Sequence, residues 1–255
     1  MNKEIEKIEE IPLAITPEEI IKEPEEIVEP VRRKRYEGPT KEEILGKWIP
    51  KTKIGRLVQS KEIKNIDEVL DNYKILEPEI VDTLLNLKSD LLSIGQMKGK
   101  FGGGKRTSRK QTQKKTAEGN VPTFSIVAIV GDENGIFGLG KGRAKETVPA
   151  KEKALRKAKL NIIKITRGCG SFDCSCDLPH SIPVKVKGKC SSAEVVLMPA
   201  PQGTGLVAGD EIKKILRLAG IKDVYSKTFG KTKTTTNLAK ACIEALKKTN
   251  KIRRH

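Results

Sequence analysis

The chain has 255 residues with 50 Lys and Arg against 33 Asp and Glu, a formal net charge of +17, and 36% hydrophobic but only 4% aromatic side chains. That length and apolar content allow one large core or two small ones, and two small cores built from Ile, Leu, Val and Ala fit better. So few rings leave little for stacking on unpaired bases, which makes backbone phosphate the expected target, and no run of about 18 apolar residues is present to span a membrane.

The charge is lopsided: residues 1–30 hold ten Glu and three Lys, which leaves 47 basic and 23 acidic side chains on residues 31–255. A body of that kind favours a polyanion through counterion release, and nucleic acid outranks a membrane surface because no amphipathic helix carries the charge. The first residues are broken by Glu and Pro and do not read as a secretory leader. Five Cys, an odd number, argue against a disulfide framework and for thiols or a metal.

Residues 1–40 combine Glu runs with Pro12, Pro17, Pro24, Pro30, Pro39 and the knot Arg32-Arg33-Lys34-Arg35, and read as a disordered arm. Residues 41–97 change to short amphipathic elements and are expected to form a helical appendage outside the core. Helices are expected near Asp67–Asn72 and over Glu77–Leu92, where Ile80, Leu84, Leu87 and Leu91 recur at helical spacing. Residues 98–119 are so hydrophilic that no sheet is expected to begin there. Within a first domain over 98–166, Phe124–Val130 reads as a buried strand, Asn134-Gly135 as a hairpin turn and Ile136–Leu139 as the return. Over Lys145–Ile163, Ala150, Ala154, Ala158 and Ile162 fall four apart and make a helix face flat enough to lie closely on a sheet. A Cys-rich loop over 167–181 precedes a second domain over 182–250. Its expected strands are Ile182–Val186, Ala193–Met198 and Asp223–Tyr225, and its helices Glu211–Ala219 and Asn237–Lys247. The expected fold class is α+β with two small domains.

Gly135-x4-Gly140-Lys141 has the outline of a phosphate loop, but Gly142 stands where Ser or Thr must hold magnesium, and the segment sits inside a hairpin. The better reading is that Gly138, Gly140 and Gly142 admit an RNA phosphate or a neighbouring helix, while Lys141 and Arg143 supply charge. Gly203-Thr-Gly205-Leu-Val-Ala-Gly209 is a near-miss to a dinucleotide fingerprint and reads as a turn before a helix that Asp210 could cap. Lys227, Lys231 and Lys233, with a row of Thr, precede another helix; Thr236 or Asn237 serves as its cap, and the three lysines suit phosphate oxygens. Two His, one of them terminal, support no Ser-His-Asp grouping.

Cys169, Cys174, Cys176 and His180 put three thiols and an imidazole within twelve residues of loop, a donor set that suits tetrahedral zinc. The spacing is not that of a standard finger, and reduced thiols in a turn are the alternative. Cys190 is an alternative fourth ligand, and Cys242 is expected in the core.

Pro199-Ala-Pro-Gln-Gly-Thr-Gly-Leu-Val-Ala-Gly209, together with Lys47-Trp48-Ile49-Pro50, Gly55-Arg56-Leu57-Val58, Gln111-Thr112-Gln113, Gly138-Leu139-Gly140 and Ala219-Gly220-Ile221, resembles the small-subunit ribosomal protein five family in the universal numbering. The resemblance runs from about Lys47 to Thr249. The Trp48 block is similar to the archaeal and eukaryotic cytosolic branch, and Arg167-Gly-Cys169-Gly-Ser171, the thiols and Phe229-Gly-Lys-Thr232 are most similar to archaeal members. It implies a first domain like double-stranded-RNA-binding modules and a second, left-handed βαβ-type domain. It also implies a non-catalytic constituent of the small ribosomal subunit in the cytoplasm, bound to small-subunit rRNA beside ribosomal proteins three and four. The channel through which messenger RNA enters would lie nearby, the hairpin tip would sit near the decoding region, and translational accuracy would depend on the protein. By position, Lys105, Arg106, Arg109, Lys110, Lys114 and Lys115 match the family's RNA-contacting loop, and Lys141, Arg143 and Lys145 its glycine hairpin. The chain departs from the family in Gly102-Gly103-Gly104, in the lysine-rich helix and in the acidic arm. Two rival readings are a zinc-dependent enzyme on the Cys169–His180 cluster and a free regulatory double-stranded-RNA binder.

Overall fold

The computed structural model describes residues 41–97, 103–176 and 178–250; the arm expected over 1–40 lies outside the described residues. Four short helices come first, α1 (Lys41–Gly46), α2 (Lys53–Gln59), α3 (Ile66–Asn72) and α4 (Pro78–Leu84), followed by strands β1 (Lys88–Leu91), β2 (Gly95–Gln96), β3 (Arg106–Thr107), β4 (Arg109–Thr116), β5 (Gly119–Gly131) and β6 (Ile136–Ala144). Helix α5 (Thr147–Leu160) and β7 (Ile162–Lys164) close the first half. The second half runs β8 (Val186–Cys190), β9 (Ala193–Pro199), β10 (Leu206–Val207), α6 (Asp210–Leu218), β11 (Val224–Gly230) and α7 (Thr235–Thr249).

The centre of the first half is β5 and β6. Apolar Ile126–Val130 are buried, and Asp132 Oδ1 accepts from the Asn134 and Ile136 amides to close the hairpin. Helix α5 covers one face of this pair through Ala150, Ala154 and Ala158, all fully buried. A Cβ on Gly142, Gly140 or Gly138 would overlap the carbonyl oxygens of Ala150, Ala154 and Ala158 respectively. Two residues of strand advance about 6.6 Å and four of helix about 6 Å, so an every-second-residue glycine row stays in step with an every-fourth-residue alanine row. The glycines are therefore there for the helix and not for a nucleotide phosphate.

The helix expected over 145–163 stops at Leu160, so Ile162 lies on β7 and not on the alanine face, and three further expectations fail in the first half. Residues 77–92 are not one helix: α4 ends at Leu84, Leu85 is extended, and Lys88–Leu91 is a strand paired with Ala128–Gly131 of β5. The segment 41–97 is not an appendage either, because Ile66, Val69, Ile75 and Val81 pack with Val130, Ile136, Ala158 and Ile162 in one buried cluster. Glu77 ties its start together, accepting from Trp48 Nε1 at 2.9 Å and from the Lys51 and Thr52 amides at 2.9 and 2.7 Å. Burial pushes its carboxyl up, but the Thr52, Lys51 and Trp48 hydrogen bonds outweigh that and leave it below its usual value. Thirdly, the hydrophilic run does enter the sheet: β4 pairs antiparallel with β5 from Arg109↔Ile126 to Thr116↔Gly119, although all eight of its residues are exposed. Its backbone pairs along one edge with β5 while neither face has a core to meet, so hydrophobic periodicity is absent.

In the second half the sheet order is β10-β11-β9-β8, with β10 parallel to β11 and α6 connecting them. The first strand begins at Val186 and not at Ile182, where Pro183 offers no amide to a ladder, and β11 runs on to Gly230 beyond the expected Tyr225. Gly209 occupies the α6 cap position, so the Asp210 cap is not formed, and Thr234 caps α7 in place of Thr236 or Asn237, without a side-chain bond. Both halves contribute to one core, in which Leu92, Val127, Ile129, Phe137 and Ile165 meet Ile182, Leu197, Ile212, Ile215 and Leu216. Arg167 Nη1 bridges the halves by donating to the Glu133 and Gly220 carbonyls at 3.2 and 3.1 Å.

Gly140→Val forces a branched side chain against the Ala154 carbonyl and the Ala158 nitrogen. The expected cost is on the order of 3 kcal/mol, a fall in thermal midpoint of roughly 10 °C. Lys141→Ala, one residue on and exposed, is expected to leave the midpoint unchanged in the same calorimetric scan.

Candidate nucleic-acid interface and cysteine cluster

Strand β5 is longer than its sheet. Its second half has neighbours on both sides, whereas residues 119–123 pair with β4 and not with β6, so the two strands run on as a ribbon. Of the twelve cations expected to contact RNA the ribbon carries four, Arg109, Lys110, Lys114 and Lys115, and β6 carries two more, Lys141 and Arg143. Register places Lys110 and Arg143 on either side of Ser125 in one row, hence on one face, and period-two alternation puts Lys114 and Lys141 on that same face. Arg109 and Lys115 alternate onto the other side. Lys105, Arg106 and Lys145 are exposed at the foot of the ribbon and before α5.

The three lysines of the second half do not act together. Lys227 lies opposite Val196 on β11, on the face that also exposes Tyr225 and Phe229, and Lys231 is exposed in the turn after Gly230. Lys233 alone of the three reaches the first half, lining a cleft with Arg106, Arg109 and Lys110.

The four expected metal donors converge. Cys169, Cys174, Cys176 and His180 offer ligand atoms that all lie within 4.8 Å of one another. Cys174 Sγ is 3.0 Å from Cys176 Sγ and 3.8 Å from His180 Nε2. Bonds of about 2.3 Å to a tetrahedral centre put donors about 3.8 Å apart, so the set closes on such a centre with small shifts. The hydrogen bond from the Cys176 thiol, then those from the Gln202 and Cys176 amides, lower Cys174 to about 6. Sharing its proton with Cys174, and burial after that, raise Cys176 to about 11. One thiolate is thus already favoured before any cation is present. Cys190 sits on β8 outside the cluster, and Cys242 is buried in the core, where desolvation pushes it up to about 12.

Asp223, which the sequence reading placed only at the start of a strand, is the residue behind the cluster. His180 Nδ1 donates to Asp223 Oδ2 at 2.8 Å, both side chains being buried. A carboxylate accepts only, so the proton is on Nδ1 and the Nε2 lone pair is left for the thiol side. Asp223 Oδ1 accepts from the Gly205 amide at 2.8 Å, and the Asp223 carbonyl accepts from Ser181 Oγ at 2.6 Å. At a separation of 43 positions, nothing in the local sequence pairs Asp223 with His180.

Fold and surface together define a basic α+β protein whose cations are displayed on a ribbon and whose thiols are gathered in one loop. A family model described as "Ribosomal protein S5, N-terminal domain" matches residues 105–166, and one described as "Ribosomal protein S5, C-terminal domain" matches residues 188–254. A protein of Nanoarchaeum equitans named small ribosomal subunit protein uS5 is 54% identical over 211 residues, covering 82% of this chain and 90% of the relative. Namesakes from Staphylothermus marinus and Methanocaldococcus jannaschii are each 49% identical, covering 82% and 81% of this chain and 92% and 89% of the relatives. The chain belongs to the ribosomal protein S5 family and is similar to its archaeal members. That family is a structural component and not an enzyme, which removes both rival readings, the zinc-dependent enzyme and the free regulatory binder.

Asp223→Ala strands the His180 Nδ1–H and Gly205 N–H donors in buried surroundings. A loss on the order of 3 kcal/mol is expected in denaturant unfolding. Asp173→Ala, in the same loop but exposed, is expected to stay within about 0.5 kcal/mol of the parent.

Proposed function

We propose that this chain is a structural constituent of the small ribosomal subunit that holds small-subunit rRNA electrostatically and thereby supports accurate decoding. The observation that carries this reading is the β4–β5 ribbon, whose β4 strand is exposed along all eight residues and bears Arg109, Lys110, Lys114 and Lys115. A strand that buries nothing and displays cations on both faces is suited to lie between phosphates, with Lys141 and Arg143 extending one face and Lys105 and Arg106 the foot. Lys145, Lys227 and Lys231 add charge at separate points on the surface. The resemblance supports ribosomal proteins three and four as neighbours, a position near the messenger path, and residence in the cytoplasm; among the described residues no helix is long and apolar enough to cross a membrane.

Zinc at Cys169, Cys174, Cys176 and His180 belongs to the same reading. The buried Asp223 carboxylate orients the imidazole with one oxygen and accepts from the Gly205 amide with the other, so the loop is tied to the turn after Pro199. Zinc bound there would supply a crosslink and no reaction, since three thiols and an imidazole complete the tetrahedron.

Charge reversal in the ribbon, Lys114→Glu with Lys115→Glu, is expected to weaken binding to purified small-subunit rRNA more than tenfold at about 0.15 M salt and to flatten the salt dependence. Unchanged affinity would sink the RNA reading. For the metal, the purified full chain is expected to hold one zinc per chain by elemental analysis, and a Cys174→Ser, Cys176→Ser variant none. A metal-free parent would leave the cluster as ordinary thiols.

A further inference from the structure

We propose that the cleft between the foot of the ribbon and the N-terminus of α7 seats a single RNA phosphodiester, held jointly by Arg106 and Lys233 and by the hydroxyl of Thr235. The inference rests on the rRNA-binding reading and gives it a specific seat assembled from both halves of the chain.

The cleft has a volume of about 680 Å³ and is lined by Arg106, Arg109, Lys110 and Lys233 with no Asp or Glu among its lining residues. A second cleft of about 700 Å³ shares Arg106, Lys233 and Thr235 but has Asp210 and Glu211 on its wall, so an anion is directed to the first. Glu211 is engaged there, accepting from the Ser93 amide at 2.8 Å and lying 3.8 Å from Lys214 Nζ. Among the described residues neither Arg106 nor Lys233 has an ion-pair partner.

Thr235 is the observation that separates this place from the rest of the basic surface. It is 8% exposed, it opens α7, and it lines both clefts. Its hydroxyl has no hydrogen-bond partner among the described residues and is not among the side-chain atoms sealed from solvent, so on a residue otherwise packed away the donor is the part left open. The α7 cap residue Thr234 makes no side-chain bond, and the Thr235 and Asn237 amides of this 15-residue helix's first turn donate to the Lys233 and Thr234 carbonyls at 3.0 Å each, which leaves the Thr235 hydroxyl as the donor that faces the cleft without a partner. A phosphate oxygen accepts from a hydroxyl, and a guanidinium donates to it in a fork. Pairing of Gln96 with Arg106 fixes the backbone from which that guanidinium extends. Arg109 and Lys110 join the cleft to the ribbon, so an anion seated here is continuous with a polyanion lying along β4.

The test uses the full chain, purified small-subunit rRNA and affinity measured across a salt series. Arg106→Gln is expected to make the slope of log affinity against log salt shallower by about one. Thr235→Val keeps the shape and removes the donor; it is expected to weaken binding roughly fivefold with the slope unchanged, and Thr235→Ser to restore it. Because both groups hold one phosphate, Thr235→Val added to Arg106→Gln is expected to cost less than about twofold more. Wild-type affinity in Thr235→Val, or full additivity in the pair, overturns the site. Arg106 is exposed and its replacement leaves folding intact, so an unchanged slope in Arg106→Gln overturns the site whatever Thr235→Val does to stability. If the ribbon double variant weakens binding while the cleft variants do not, rRNA binding stands and this seat falls; if the parent itself shows no salt-dependent binding, both fall.

Discussion

The close contact of α5 with β6 is the constraint on which the rest of the first half depends. Side chains normally hold a helix about 10 Å from a sheet, but here Gly138, Gly140 and Gly142 bring the strand against the helix backbone at Ala158, Ala154 and Ala150. Little apolar area is needed on that face, and larger side chains are released to the other. Val127, Ile129 and Phe137 point that way and build a core shared with the second half, so the β5–β6 pair lies between α5 and the α6–α7 side of the molecule. The alternation that buries Gly140 and Gly142 against α5 puts Lys141 and Arg143 on the Phe137 face, at the end of the strand where both are exposed. One seam thus sets both the packing and the direction of the charge.

Sequence periodicity reports burial, and the fold is legible where burial and pairing coincide. Ala150, Ala154 and Ala158 announced a helix lying closely on a sheet because each is sealed against it. Strand β4 announced nothing, since its residues from Arg109 to Thr116 pair by backbone and face water on both sides. Residues 77–92 misled in the opposite way. Ile80 and Leu84 belong to α4 and Leu87 to the connection after it, while Leu91 ends β1, which pairs with β5, so a helix-like four-three-four spacing is shared among three unlike backbones. The leucines pack into neighbouring clusters all the same, which is why the spacing persists without the helix.

The cysteine loop was legible in its donors and silent about their support. Cys169, Cys174, Cys176 and His180 are close in sequence, and the fold brings them closer. Asp223 comes from the edge of β11, and its two oxygens join His180 to Gly205. Gly203 and Gly205 have positive φ, so the turn that follows Pro199 needs glycine at both places, and the Asp223 carboxylate fixes it from beneath. A segment with conspicuous composition therefore owes its position to a residue with none.

Contacts between the halves decide how the cations are presented. Arg167 spans the Glu133 and Gly220 carbonyls, the Glu133 amide donates to the Leu218 carbonyl at 3.1 Å, and a Cβ on Gly131 would overlap that same carbonyl. Each of these contacts ends on a main-chain carbonyl, the first two from the Arg167 guanidinium, and they are backed by a common apolar core. Arg106 on one half and Lys233 on the other are consequently held across a gap whose width the fold has already fixed. Like charges held together cost free energy in the free protein, and binding of an anion removes that repulsion without ordering either half. Preorganisation of this kind, more than the number of lysines, is what distinguishes a seat for one phosphate from a generally basic surface.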